Sequence, residues 1–433
     1  MQVSCSFCTR TFLFVIILTF FVAGLSLVLT DSTPIQVVEY WGGGFWSLLA
    51  FTMQMVLVLV TGHTLASSPI FKKGLGSLAS VPKTPGQAIV LVSVVSLLAC
   101  WVNWGFGLVI GALFARELAN KVDGVDYRLL IASAYSGFLV WHGGLSGSVP
   151  LTIATPKHFS ENLIGIVPTS ETIFSAYNLV IVAALFVLIP LMNRLMMPAK
   201  DQTITIDRSL LEDANSLQAA AVEADALTPA DRLENSRLLS MVTGALGLCF
   251  LALYVRENGW NLNLDIVNFI FLFLGILLHG TPRRFLEAVG NAVKGSSGII
   301  IQFPFYAGLM GIMVSSGLAT ALSEAFVSIS TESTFHVLVF WSAGLVNFFV
   351  PSGGGQWAVQ APVMLEAAQS MDVSMAKTAM EVAWGDAWTN MIQPFWALPA
   401  LAIAGLKAKD IMGFCLIILF VSGAVISLGF FLL

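Results

Sequence analysis

Asp386 stands in an apolar stretch beside Trp384, Trp388 and Asn390. An ionisable side chain at membrane depth is costly to bury and marks an ion or proton pathway. Asp386 is therefore a candidate to ligate a cation or carry a coupling proton; the plainer alternative is a carboxylate at the outer end of its segment, facing water. His142 opens a Gly-Gly-Leu-Ser-Gly-Ser run, and His63 closes another apolar stretch. Imidazoles relay protons near neutral pH, although each also serves as a hydrogen-bonded structural residue. Asn347 completes the coupling-ion candidates. No metal ligand set is assigned.

Four glycine- or proline-rich breaks interrupt the apolar sequence, at 103–107, 142–148, 352–356 and 386–399. Bare backbone is tolerated at membrane depth only where it faces protein or a watered cavity. The breaks supply the substrate-binding candidates: Asn103 and Gly105, Ser146 and Ser148, Ser352, Gly353, Gly354 and Gln356, and Asn390 and Gln393. No Lys or Arg lies in the middle of these segments, so a bound anion must be met by helix N-termini, free amides and the hydroxyls of Ser146, Ser148 and Thr152. A monocarboxylate suits that supply better than a dicarboxylate or phosphate ester. Trp101, Trp104, Phe106, Trp357, Phe395 and Trp396 flank the breaks and can wall an apolar pocket. Close helix packing is the competing account of the glycines. It is weakest for 353–355, since three glycines after Pro351 are expected to break a helix.

The elements that position these residues follow from composition. The 433 residues are 57% hydrophobic and 10% charged, with mean hydropathy +0.86, which excludes a soluble globule. Apolar runs long enough for a core of about 30 Å indicate helices rather than a barrel. Spans are expected at 11–30, 44–66, 128–156, 173–197, 237–257, 263–280, 296–318, 376–405 and 411–433, the first retained rather than cleaved as a signal. Stretches 88–113 and 335–366 are interrupted. If both cross, the 20 Lys and Arg divide 8 against 12; if both turn back, 17 against 3. The positive-inside rule favours re-entrant hairpins, with a cytoplasmic N-terminus and a periplasmic C-terminus.

The fold class expected is thus an all-α polytopic membrane protein, with about nine spans and two re-entrant hairpins in an inverted-topology repeat. Residues 11–197 form the first copy (hairpin 88–113, broken span 128–156) and residues 263–433 the second (hairpin 335–366, broken span 376–405). Residues 198–262 hold a polar cytoplasmic joint, helical around Ala219 to Ala226, and a linking span. Ala134-Tyr135-Ser136-Gly137 and Pro150 echo Ala383-Trp384-Gly385-Asp386 and Pro399 at an offset of 249, while Val102-Asn103 echoes Val346-Asn347 at 244. Such repeats characterise alternating-access carriers with a midplane site. Segments 69–83 and 281–294 read as interfacial elbows. The five cysteines are too few and scattered for a disulfide framework, and the Cys5/Cys8 pair has no second pair to make a metal site.

Several strings closely resemble the short-chain fatty acid transporter family: WGGGFWSLLAFTMQM from Trp41, VTGHTLASS from Val60, NWGFGLVIGALFARE from Asn103, FPFYAGLMGIM from Phe303, VPSGGGQW from Val350 and QPFWALPALAIAGL from Gln393. The resemblance implies uptake of short-chain fatty acids such as butyrate and acetoacetate across the bacterial inner membrane, kinship with ion-coupled inverted-repeat carriers and, by analogy, a homodimer. No cofactor and no nucleic acid are expected, and whether Na+ or H+ drives transport stays open. Other readings are a carrier for a dicarboxylate or sugar acid, a channel, and an intramembrane serine protease built on Ser146 and a histidine.

Overall fold

The computed structural model describes residues 2–205, 228–348 and 350–433, with side chains described for all but 2–11, 14, 394, 395, 398, 399 and 402. Most of the polar joint, including the stretch from Ala219 to Ala226, lies outside the described residues, as do the side chains of Cys5, Cys8 and Phe395. The described residues are helical, without a strand.

The chain opens with α1 (Gln2–Leu29), α2 (Pro34–Gly44), α3 (Leu49–Ala66) and α4 (Pro69–Leu78). Then come α5 (Pro85–Val102), α6 (Trp104–Lys121), α7 (Tyr127–Ser136, continued by a 3-10 turn over Gly137–Val140), α8 (Ser148–Ile153), α9 (Glu161–Ile164) and α10 (Ala176–Leu195). Beyond the joint lie α11 (Pro229–Glu234), α12 (Arg237–Asn258), α13 (Leu264–His279), α14 (Pro282–Val293), α15 (Ser297–Ser315) and α16 (Leu318–Ile329). The last group is α17 (Phe335–Asn347), α18 (Gly353–Ser370), α19 (Met375–Thr389, then a 3-10 turn over Asn390–Ile392), α20 (Pro394–Ala404) and α21 (Ala408–Leu432).

Six helices among the described residues, α3, α5, α10, α12, α15 and α21, are long and apolar enough to cross a bilayer singly. Five of them fall on expected spans and α5 lies in the expected hairpin 88–113; the expected span 11–30 falls in α1, part of whose side chains are not described, and three other stretches are shorter or divided. Residues 44–66 begin with a turn, so that α3 starts at Leu49. α13 has 16 residues, about 24 Å at 1.5 Å per residue, short of a core of about 30 Å. Stretches 128–156 and 376–405 are each divided at their breaks. α16, which hydropathy did not single out, starts after a left-handed turn at Gly317 (φ +78°). The segments expected as elbows hold α4 and the amphipathic α14.

Burial separates a core from its surround. Most residues of α6, α7, α18 and α19 are buried, although these helices are less apolar than α3, α5, α10, α15 and α21, whereas α12 is largely exposed. This suits a protein whose surround is hydrocarbon: apolar side chains face outward and polar ones gather inside. α5 and α17 pack on α7 and α19 respectively, α2 packs on α15, and α3 packs between α6 and α13.

α6 and α18 are each 18 residues long and start 249 positions apart, the offset seen in the sequence. Their N-caps have nearly the same extended backbone: Asn103 at φ −158°, ψ 125° and Ser352 at φ −160°, ψ 111°. Each side chain accepts an amide three residues on, from Phe106 and Gly355, which satisfies one of the donors a helix start leaves open. Asn103 also ends α5, whereas in the later segment Asn347 ends α17 and Ser352 begins α18. Those five extra residues are the difference between the two sequence offsets. The glycines at 353–355 therefore do not break a helix; they form the first turn of α18, and the break lies just before them.

Candidate functional site

The four breaks meet. Trp104 N–H donates to Ser146 Oγ (2.9 Å) and Leu145 N–H to Trp101 O (2.7 Å), which ties the start of α6 to the 142–148 break. A Cβ on Gly144 would stand 2.2 Å from Trp101 O, so only glycine allows that approach. The start of α18 reaches the same break: a Cβ on Gly353 would lie 2.4 Å from His142 Cε1 and 2.7 Å from Ser148 Oγ.

His142 is the hinge of the cluster and is fully buried. The Val149 amide donates to His142 Nε2 (3.1 Å), so that nitrogen is an acceptor. The ring proton then sits on Nδ1 and is donated to Asp386 Oδ2 (3.1 Å). Asn390 Nδ2 also donates to Asp386 Oδ2 (3.3 Å). Asn347 Nδ2 lies 2.8 Å from Asp386 O, 2.8 Å from Thr389 Oγ1 and 2.9 Å from Asn390 Oδ1, while Gln393 Nε2 donates to Asn347 O (2.5 Å). Each half also sends an aromatic across: Tyr135 OH donates to Asn390 O (2.5 Å), and Trp384 Nε1 donates to Asn178 Oδ1 (2.8 Å), whose Nδ2 holds Gly143 O. Tyr135 and Trp384 are again 249 positions apart.

His142, Ser148, Asp386, Asn347, Asn390, Gln393 and Gly353 thus come together, with Asn103, Ser146 and Ser352 at the adjoining helix starts. Gln356 stands beside them, its Nε2 donating to Ala343 O (2.8 Å) and Gln360 Oε1 (2.7 Å). Three candidates have different surroundings. A Cβ on Gly105 would lie 3.0 Å from Leu59 O, so this glycine lets α6 pack on α3; one on Gly354 would lie 2.4 Å from the Phe51 ring. His63 is half-buried on α3, outside this network. Its neighbour Gly62 is the contact: a Cβ there would come 2.1 Å from Asn103 Oδ1. The Thr152 hydroxyl, expected as an anion donor, is spent on Ser148 O within α8.

Ser148 Oγ lies 3.0 Å from His142 Nε2, giving the Ser–His–Asp order of a hydrolase triad. The Val149 amide occupies the same nitrogen, however, and Ser146, the serine of the protease reading, faces the Trp104 amide instead.

Trp141, Phe138, Asn178 and Tyr135 belong to the cluster although nothing in the sequence marks them as site residues. Trp104, Trp141, Phe138 and Trp396 form one aromatic group, with centroids 5.5 Å apart for Trp104–Trp396, Phe138–Trp141 and Phe138–Trp396, and Trp141 stacks on His142 at 4.0 Å. Several buried polar atoms in and around the cluster have no partner. Asn103 Nδ2, Trp104 Nε1 and Trp141 Nε1 are donors; Asn347 Oδ1, Gln356 Oε1, Asp386 Oδ1 and Gln393 Oε1 are acceptors. Such atoms are expensive unless something binds them.

The family model described as short chain fatty acid transporter matches residues 2–433. A protein of Escherichia coli (strain K12), provisionally named a short-chain fatty acid transporter, is 47% identical over 418 residues, covering 96% of this chain and 94% of that protein. One of Haemophilus influenzae with the same provisional name is 44% identical over 428 residues, covering 97% and 95%. The crystal structure of the Alcanivorax borkumensis YdaH transporter shares the fold, with TM-score 0.54, 15% identity and coverage of 97% and 96%. A multi-pass membrane protein with these relatives is a transporter and not an enzyme, and the chain belongs to the short-chain fatty acid transporter family.

Proposed function

We propose that this protein takes up short-chain monocarboxylates such as butyrate and acetoacetate across the bacterial inner membrane, coupled to a cation, by alternating access. The observation that carries the reading is the division of the unpartnered buried atoms. Donors at Asn103, Trp104 and Trp141 suit a carboxylate, and oxygens at Asn347, Gln356, Asp386 and Gln393 suit a cation. The first amides of α18, at Gly353 and Gly354, have no intrahelical partner by helix geometry and add positive potential. The aromatic group offers a short alkyl tail an apolar wall. With no Lys or Arg among these residues, one negative charge is what the site can meet.

The topology belongs to the same reading. α5–α6 and α17–α18 are two re-entrant hairpins turning at Asn103 and Ser352, in inverted repeats at 11–197 and 263–433 joined through 198–262. Equal helix lengths, matching caps and the reciprocal Tyr135 and Trp384 bonds support it, and the 17-to-3 charge division supports a cytoplasmic N-terminus and a periplasmic C-terminus. Movement of this core against α1–α3 and α12–α15 exposes the site to either side.

Binding of labelled butyrate to the purified protein tests the site. Acetoacetate displaces it and succinate does not. Trp141→Phe and Trp104→Phe keep the rings but remove one donor each, weakening binding about tenfold, as loss of a hydrogen bond to a charged group does. Unchanged affinity in both variants would remove the carboxylate from this place.

A further inference from the structure

Glu381 is the other acid buried in α19, and the central cluster does not use it. Its side chain is 0% exposed, and its Oε1 is held by His336 Nδ1 at 2.5 Å. Its Oε2 is buried without a partner. The histidine is 18% exposed and follows the solvent-facing residues 331–334, so its ring connects water to a carboxyl group behind it. A structural ion pair is stable in such a place when both carboxylate oxygens are satisfied, and here one is not.

The other groups that feel Glu381 are already engaged. Lys377, one turn earlier on α19, points its Nζ to Phe430 O on α21 (3.3 Å). Tyr177 on α10 donates its hydroxyl to Glu171 O (3.0 Å). Among the helices packed on α19, α17 contributes His336, α18 carries Glu366, and α21 carries Lys409 and Asp410 at its far end.

We propose that the His336–Glu381 pair is a proton-loading site of the transport cycle, filled from the aqueous side on which Lys377 lies. It rests on the coupled-carrier reading above and names the proton as a coupling ion. A proton from water binds Nε2 of the neutral, Nδ1-protonated ring. The imidazolium passes its Nδ1 proton to Glu381 Oε1, leaving a neutral ring protonated at Nε2 and a neutral carboxylic acid. The step also loosens a contact between α17 and α19. These are the helices whose other ends hold Asn347 and Asp386, so proton binding at this mouth bears on the central cluster.

Two measurements on the reconstituted full chain test this. Infrared difference spectra between acidic and alkaline buffer, without substrate, are expected to show a carboxyl protonation band that is absent in Glu381→Gln and has a displaced midpoint in His336→Gln. A band unchanged in both variants overturns the proposal. In sodium-free proteoliposomes a one-unit proton gradient is expected to drive butyrate entry faster than into protein-free liposomes, which undissociated butyric acid enters unaided. Glu381→Gln is expected to lose this excess initial rate while keeping acetoacetate-blocked butyrate exchange at equal pH; an excess rate equal to wild type overturns the proposal. If the unaltered protein exchanges no butyrate, the carrier reading fails, and the infrared band still decides the proton site. Should Glu381→Gln not fold, the midpoint shift in His336→Gln decides.

Discussion

At the scale of residues, a methyl group added at Gly353 falls directly on the central cluster. Alanine suits the first turn of a helix, but here its Cβ would press on His142 Cε1 and Ser148 Oγ. Gly353→Ala should weaken butyrate binding about tenfold or more, in line with overpacking costs of roughly 1–3 kcal/mol, with little loss of helix. Gly42→Ala, whose Cβ meets nothing within 4 Å, should behave as wild type. Titration of labelled butyrate on both variants checks this, and equal affinities would contradict the geometry. Asp386→Asn keeps the shape of the side chain but removes the acid; transport should be abolished while the purified protein stays folded and monodisperse. Asp386 and His142 were legible as ionisable residues in apolar stretches. Glu381 carries the same signal, yet its spacing from Lys377 reads as an exposed i, i+4 pair. His336 lies 45 positions away, and no pattern links the two.

At the scale of elements, the caps decide where the breaks fall. Asn103→Ala removes the side chain that accepts the Phe106 amide and should lower stability by about 1 kcal/mol, with Asn103→Ser recovering most of it; thermal unfolding in detergent is the measure. Asp126 does similar work at the start of α7, where it caps Leu129, pairs with Arg128 and accepts the Ile204 amide. Burial alone would push its carboxyl up, but Arg128 and the two amides outweigh this and hold it below the ordinary carboxylate range. Its stabilisation is complete above the unfolded-state value of about 3.9 and is lost as pH falls through the lower folded value. Tm should therefore fall on acidification in the wild type, and Asp126→Asn should start lower at neutral pH and lose less. Breaks were legible at this scale because glycine and proline interrupt apolar runs. Which side of Ser352 the break lay on was not. That depends on a cap and on Gly354 and Gly355 finding the Phe51 and Tyr306 rings, contacts made between distant segments.

For the molecule as a whole, the decisive contacts join the two ends of the sequence: His142 to Asp386 across 244 positions and Tyr135 to Asn390 across 255. Weak echoes at 244 and 249 pointed to corresponding halves, but the sequence has no term for how they interlock. The aromatic group around Trp141 and the support from Asn178 were invisible for that reason. In the proposed function the interlocked breaks enclose one short monocarboxylate together with a coupling cation. Uptake of labelled butyrate into proteoliposomes, under separately imposed sodium and proton gradients with acetoacetate and succinate as competitors, tests it most directly. Saturable uptake that follows an imposed gradient and is blocked by acetoacetate but not by succinate is expected. Absence of butyrate uptake, with succinate carried instead, would contradict it.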